Sequence, residues 1–432
     1  MAGLTKWLNK MVKICMFLIL PLSSLLLSAQ ENKPLSLEEA FHLAQQNYPL
    51  IHQKDLIKQS EKLSLANINS NFLPQLIVSG QATYQSDVTK VSIPLPGLSI
   101  PSQSKDQYKA IGEVNQLLYD GGLTKGQKNI QQLNSNVEEN RLAVELYNLK
   151  ARINQLYFSI LFQDQLLAQT DLVSKDIQAG IDKVKPQVEN GVALRSNLQL
   201  LQAQLLQTQQ RAIEIKSARK GLANALSLLI NQPISETTKF QLSGEYNNID
   251  TLLNRPELKL YESQSQLIAG QEDLIHARNL PKASAFFQGG YGKPGLNMLS
   301  NDFKTFYITG IRLNWSLGSL YNNKRDKQLI KVNQQTVDLQ KQVFVLNTQS
   351  QLKQQQSDID KYAQLVATDN GIIQLRKSIT DAAKAQLENA VITANDYLMQ
   401  VNAEDQARQA LILHQLQLRQ AQINYAISTG KL

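Results

Sequence analysis

The sequence predicts a mainly α fold built twice over, each half holding a pair of amphipathic β-strands and a long coiled-coil helical hairpin. Three observations predict it. A helical run from about Leu123 to Asn231 is broken only at Glu189-Asn190-Gly191-Val192-Ala193-Leu194-Arg195-Ser196. Gln75 to Gln85 alternates apolar and polar residues with the two-residue period of a half-solvated strand, and Tyr108 to Leu118 forms a second such segment. The same order of segments then recurs in the second half of the chain.

Residues 1–29 stand apart. Lys6, Lys10 and Lys13 precede a largely apolar run from Ile14 to Leu27, interrupted by Pro21 and closed by Ser28-Ala29. A basic start, a short apolar middle and a small-residue end predict a secretory signal peptide cleaved near Ala29. The only cysteine, Cys15, lies inside it, so disulfides and thiol chemistry are excluded from the remainder. Loss of three lysines and no acid takes the formal charge from +8 to +5. That charge is thinly spread with no basic, aromatic-laced block, which excludes nucleic acid as a partner. Beyond the leader there is no apolar run of roughly 18 residues, so any membrane insertion must use strands.

The first repeat spans 30–231. Leu37 to Phe41 and a second stretch from near Asn47-Tyr48-Pro49 read as short helices, stopped at Asn71-Phe72-Leu73-Pro74. The strand pair covers about 75–118, with a Pro- and Ser-rich loop between Ser86 and Asp106. Tyr119-Asp120-Gly121-Gly122 releases the chain into the helical hairpin, 123–231. Its first arm, Leu123 to Glu189, is ~100 Å long at ~1.5 Å per residue, too long for a globular core. Gly191 beside Asn190 marks a helix stop, and Ser196 or Asn197 is placed to cap the returning helix. Leu142, Leu146, Leu149, Ile153, Leu156 and Ile160 are spaced as a heptad stripe.

The connector, 232–251, carries Pro233, Gly244 and the polar run from Glu245 to Asp250. The second repeat, 252–432, holds a helix, a strand pair at about 282–318 and a hairpin over 322–430. Asn47, Pro49, Pro74 and Tyr84 recur 207 residues later as Asn254, Pro256, Pro281 and Tyr291. Tyr108, Asn115, Leu118 and Val192 recur after 199 as Tyr307, Asn314, Leu317 and Val391, so the shorter spacing falls in the strand-to-strand loop. Leu329, Val332, Leu339, Val343 and Leu346 form the second stripe. The other helix faces are crowded with Gln, Asn and Ser, compatible with either an ordinary wet surface or an aqueous channel lining.

Four amphipathic strands in one chain have unpaired edges that a bilayer does not tolerate. Two copies would close eight strands around a bore filled by side chains; three would close twelve and leave room for water. Tyr84, Tyr108, Tyr291, Tyr307 and Trp315 fall at or near strand ends, where an interfacial aromatic belt belongs.

The ordered duplication of short helices, strand pair ending in Tyr119-Asp-Gly-Gly122, long helix, Gly191-Val-Ala tip and long helix resembles the TolC-like outer-membrane efflux and secretion channels over essentially the whole mature chain. The resemblance implies a homotrimer with a twelve-stranded barrel among outer-membrane lipids, continued by a periplasmic α-helical barrel. It also implies a periplasmic membrane-fusion adaptor and an inner-membrane pump of RND or ABC type as partners. Family tips offer small residues for adaptor docking; the matching positions are Gly191, Val192 and Ala193, and Ala390, Val391 and Ile392. Ala390 stands where the family has Gly, which leaves the form of the second turn open. The family's periplasmic aperture maps onto Asp396 and Asn197, with Asp381 and Glu388 as rival acids and Met399 where some relatives have a second acid. No catalytic, cofactor or metal constellation is present: His42, His52, His276 and His414 are scattered, and no phosphate loop or nucleophile elbow occurs. The alternative function is a secreted coiled-coil spacer without channel activity.

Overall fold

The computed structural model describes residues 34–89, 102–241 and 252–432. The leader, the middle of the first strand-to-strand loop and the Glu245–Asp250 run lie outside the described residues. Seven helices and four strands are described. In chain order these are α1 (Leu37–Asn47), α2 (Gln53–Asn69), β1 (Gln75–Tyr84), β2 (Asp106–Tyr119), α3 (Leu123–Glu189), α4 (Arg195–Ile230), α5 (Pro256–Arg278), β3 (Lys282–Lys293), β4 (Lys304–Asn314), α6 (Leu320–Glu388) and α7 (Ala394–Thr429). The duplication is kept to the residue. Helices α3 and α6 end at Glu189 and Glu388, α4 and α7 begin at Arg195 and Ala394, and β1 and β3 begin at Gln75 and Lys282.

Three boundaries differ from the sequence expectation. Pro49–His52 forms a 3-10 turn, so α2 starts at Gln53. The second strand pair ends at Asn314 rather than near 318: Asn314 pairs with Lys282, the first residue of β3, Pro281 before it has no N–H to extend the ladder, and the Trp315 indole donates to the Asn279 carbonyl (3.0 Å). A 3-10 turn over Leu317–Ser319 then starts α6 at Leu320, before the expected 322.

Two compact units are formed. One holds the sheet, α2, α5, the first part of α3 (to Asn148) and the first part of α6 (to Gln354). Within it, the Asp120-Gly121-Gly122 turn starts α3. Asp120 accepts from the backbone N–H groups of Gly122 (2.9 Å) and Thr124 (2.6 Å), satisfying donors that a helix start leaves open. Burial alone would raise the Asp120 pKa, but these bonds hold it below its ordinary value. Gly121 has φ of 73° and sits where a Cβ would lie 2.8 Å from both the Ala277 carbonyl and the Leu280 side chain. Only glycine fits that turn. In the same unit Arg255 pairs with Glu257, donates to Ile427 O (3.3 Å) and lies 4.8 Å over the Tyr147 ring, tying the start of α5 to the end of the chain.

The other unit holds α1, the rest of α3 and α6, α4 and α7. Leu35 and Phe240 form a parallel bridge, and the fully buried Tyr157 hydroxyl is within hydrogen-bond reach of the Leu35 (2.7 Å) and Gln241 (2.6 Å) carbonyls. A mostly buried ion pair, Arg219 with Asp164, is completed by Arg219 donating to Thr238 O at 2.8 Å. The expected first stripe is the packed one: Leu142, Leu149, Ile153 and Ile160 are buried. The second stripe is not. Leu329, Val332, Leu339, Val343 and Leu346 are all at least 54% exposed, while Ile330, Val337 and Leu352 are turned inward. Heptad spacing specifies that a face seeks a helix, not that the same chain supplies it. No helix among the described residues is long and apolar enough to cross a membrane.

Candidate functional site

Two features hold the residues nominated from the sequence: the faces of the sheet and the tips of the two hairpins. The sheet is fully antiparallel in the order β1-β2-β3-β4. Its register sorts the side chains cleanly. Leu76 faces Val114, Val114 faces Phe287 and Phe287 faces Thr309; Ala285 faces Ile311 and Ala283 faces Leu313, so these lie on one side. Ile77 faces Glu113, Gln81 faces Lys109 and Ser284 faces Arg312 on the other. The first side is apolar and bare: Leu76, Val78, Ile311 and Leu313 are 68–79% exposed. The second carries Gln81, Thr83, Lys109, Glu113, Gln288 and Arg312, and its aromatic rings lie on glycines across the ladder, Phe286 against Gly310 and Phe306 against Gly290. Both outer strands leave one edge unpaired among the described residues.

Tyr84, Tyr108 and Tyr291 gather at the loop end of the sheet, where Tyr84 pairs with Asp106 and Tyr108 with Lys293. Tyr307, opposite Gly289, lies closer to the middle. Phe303, which sequence reasoning missed because it falls in a loop, stacks on Tyr108 (6.2 Å) and Tyr291 (5.4 Å). Trp315 stands at the opposite, helix end, near the exposed Tyr119 at the end of β2. Of the five expected aromatics, three thus lie at the loop end, Trp315 at the helix end and Tyr307 between them.

At the first tip, Gly191 adopts φ of 73°, the Gly191 N–H donates to Val188 O (3.1 Å) and the Val192 N–H to Gln187 O (2.8 Å). This is the left-handed helix stop that satisfies the terminal carbonyls. The second tip repeats it despite the alanine. Ala390 has φ of 56°, its N–H donates to Leu387 O (3.1 Å) and that of Val391 to Gln386 O (2.8 Å). The two turns are the same, which closes the question left by sequence. A left-handed alanine costs about 1 kcal/mol, so Ala390→Gly should stabilise this tip by up to about that amount in thermal unfolding, with the helices unchanged.

The six tip residues divide by burial. Gly191, Val192, Ala390 and Val391 are exposed, whereas Ala193 and Ile392 pack into the cluster beneath. That cluster includes Ile177, Val184 and Leu201 from the first hairpin and Ala394, Tyr397 and Leu398 from the second. Each large buried side chain contributes about 1.5–3 kcal/mol. Gln187 adds hydrogen bonds to the carbonyls of Leu387 (3.4 Å) and Glu388 (3.2 Å), and Lys183 lies 3.7 Å from Glu388. Sequence reasoning missed Gln187 and Tyr397; no spacing signal marks either.

The caps of the returning helices differ. Neither Ser196 nor Asn197 caps α4; Leu194 holds that position without a side-chain bond, leaving Asn197 in the first turn. At the second tip Thr393 and Asp396 form a reciprocal box. The Thr393 N–H (3.0 Å) and hydroxyl (2.7 Å) donate to the Asp396 carboxylate, and the Asp396 N–H donates to the Thr393 hydroxyl at 3.2 Å. The Thr393 hydroxyl, then its N–H, hold the Asp396 pKa below its ordinary value. A depressed carboxylate stabilises above its unfolded-state pKa and loses that contribution as pH falls through the folded value. Wild type should therefore melt above Asp396→Ala at neutral pH, with the difference in melting temperature vanishing in acid below the ordinary carboxylate range. Asp381 and Met399 are exposed.

No protein-family model matches the sequence, and no curated protein matches it. Solved structures do. CusC, studied for folding and transmembrane channel formation, superposes with a TM-score of 0.67 at 14% identity, over 91% of this chain and 91% of its own. The fold is that of the TolC-like channels. The Campylobacter jejuni CmeC outer membrane channel matches at 0.64 and 13% identity, over 93% of this chain and 86% of its own. The open state of the Neisseria gonorrhoeae MtrE outer membrane channel matches at 0.63 and 15%, over 91% and 89%. The likeness, at 13–15% identity, is one of fold, shared over nine-tenths of this chain.

Proposed function

We propose that the chain is the subunit of a homotrimeric outer-membrane channel, with its helical portion in the periplasm. It acts as the passive exit duct of a tripartite efflux pump or type I secretion system. The observation that carries this reading is the sheet: a bare apolar face, a polar face and two unpaired edges. Water does not favour the first face, and hydrocarbon does not tolerate the edges. Three copies, β4 of each pairing with β1 of the next, close twelve strands with the apolar faces toward lipid and a wet bore inside. The bare stripe on α6 supports the same reading, since a second copy of this chain is the helix partner it lacks. The fold shared with CmeC and MtrE agrees with it.

The duct performs no chemistry; an inner-membrane pump supplies the energy through a periplasmic adaptor. The exposed tip residues Gly191, Val192, Ala390 and Val391 are the docking surface, with Ala193 and Ile392 as the packed layer under it. Val192→Trp should weaken crosslinking to the adaptor and reduce export while trimers persist; unchanged crosslinking and export would remove the docking assignment. Asp396 of three copies forms the periplasmic aperture ring, its carboxylate held by the Thr393 hydroxyl and N–H.

Purified protein in a planar bilayer tests the central reading. Ohmic conductance is expected, together with heat-modifiable migration on a denaturing gel and recovery in the outer-membrane fraction. A soluble trimer or monomer without conductance, even with Asp396→Ala, points instead to a coiled-coil spacer.

A further inference from the structure

The polar face of the sheet has a charge bias. Within the strands it carries Lys109, Lys282, Lys304 and Arg312 against the single carboxylate of Glu113. Glu113 is matched by Arg312 at 3.7 Å, and Arg312 also lies 4.7 Å over the Phe286 ring, so both belong to one local cluster. The remaining lysines are not spread evenly. Gln81 pairs with Lys109, Lys109 with Gly292 and Gly292 with Lys304, which puts Lys109 and Lys304 in one row across the sheet near its loop end.

The glycine between them shapes this row. A Cβ on Gly292 would lie 2.8 Å from Tyr108 O and 3.1 Å from Lys109 Cγ, so the Lys109 stem occupies the space a side chain there would need. The two lysines stand two strand spacings apart, roughly 10 Å. That distance slightly exceeds the ~8 Å Debye length of physiological salt, so each lysine acts mainly on solute passing beside it and their fields reinforce each other more as salt is lowered. Asp302, in the adjoining loop, approaches Lys304 only to 4.0 Å and is itself exposed, which offsets part of one charge. On the opposite face the one charged pair at this end, Lys293 with Asp106 at 3.1 Å, is internally balanced.

We propose that Lys109 and Lys304 form a cationic belt inside the barrel mouth that favours passage of anionic solutes. This rests on the channel reading, because only in a closed trimer does the polar face become a bore and the row a belt of six lysines. Charged rings in a low-dielectric wall raise the local concentration of counter-ions and bias conduction accordingly. At the mouth the favoured class is solutes carrying carboxylate or phosphate groups, a bias in series with, and opposite in sign to, that of the acidic ring proposed at the far aperture.

The experiment is the reversal potential of the full-length channel in a potassium chloride gradient, wild type against K109Q/K304Q. The neutral variant should shift the reversal potential toward that of potassium, K109R/K304R should restore the wild-type value, and K109Q and K304Q alone should each give part of the shift. The single variants keep the test alive if the double variant fails to assemble. Conducting channels whose reversal potential is the same in wild type and every glutamine variant overturn the belt and leave the duct standing. Wild-type protein that forms no conducting channel overturns the duct, and the belt with it.

Discussion

Val78→Arg should eliminate the assembled channel, whereas Ser79→Arg, one residue along the same strand, should leave it intact. Both positions are exposed in the single chain, so a soluble protein would tolerate both. In the barrel they separate. Val78 pairs with Gly112 on the apolar face, and Ser79 pairs with Ile111 on the polar one. Arginine on the lipid side near the bilayer midplane costs about 2–4 kcal/mol per chain, and three copies multiply that penalty in a trimer. The face toward the proposed lumen already carries Lys109 and Arg312. Heat-modifiable trimer in isolated outer membranes is the measurement. Equal trimer from both variants would reverse or abolish the assignment of faces.

Tyr397→Ala should loosen the tips more than any change at their surface. Tyr397 is 1% exposed, its ring packs on Gly180, and its hydroxyl donates to the Asp176 carbonyl at 3.3 Å. Truncating a buried aromatic of this size costs about 3–5 kcal/mol. Tyr397→Phe keeps the ring and loses one long hydrogen bond, worth about 1 kcal/mol or less. Burial raises the hydroxyl's pKa to about 12, so the phenylalanine variant changes no charge near neutrality. Amide hydrogen exchange around Ile181 to Leu201 and Ala383 to Val401 should accelerate strongly in the alanine variant and little in the phenylalanine one. If both behave alike, the ring is not what holds the tips together.

The parts legible in the sequence are those with a period or a breaker. Gly191 ends a helix because no other residue type enters the left-handed region as cheaply, and the repeat offset transfers that ending to Glu388. Strand alternation alone predicts the two faces of the sheet. Three features stayed hidden for separate physical reasons. Ala390 keeps the glycine geometry because the hydrogen bonds of the stop and the packing of Ile392 beneath it outweigh a modest backbone cost. Leu329, Val332 and Leu339 look like any core stripe, since one chain's sequence does not say whether the covering helix is its own or a neighbour's. Trp315 continues the strand pattern, but its partner strand begins at Lys282 behind Pro281, so the ladder stops one residue earlier and the indole N–H bonds a carbonyl instead. At the tips, Thr393 and Asp396 fit the spacing of a capping box, while Ser196 and Asn197 looked equally suitable and do not cap. Which polar residue caps depends on where the preceding turn delivers the chain.

The unequal caps make the two otherwise matching tips mechanically distinct. Helix α7 begins clamped by Thr393 and Asp396, whereas α4 begins behind Leu194 with no side chain holding its first turn. Fraying of a returning helix is therefore expected first at α4, so each chain carries one compliant arm and one stiff arm at its tips. Three chains arranged around an axis would alternate soft and rigid segments around the opening. In the proposed trimer such a rim would widen by yielding at its soft arms while the others preserve its outline.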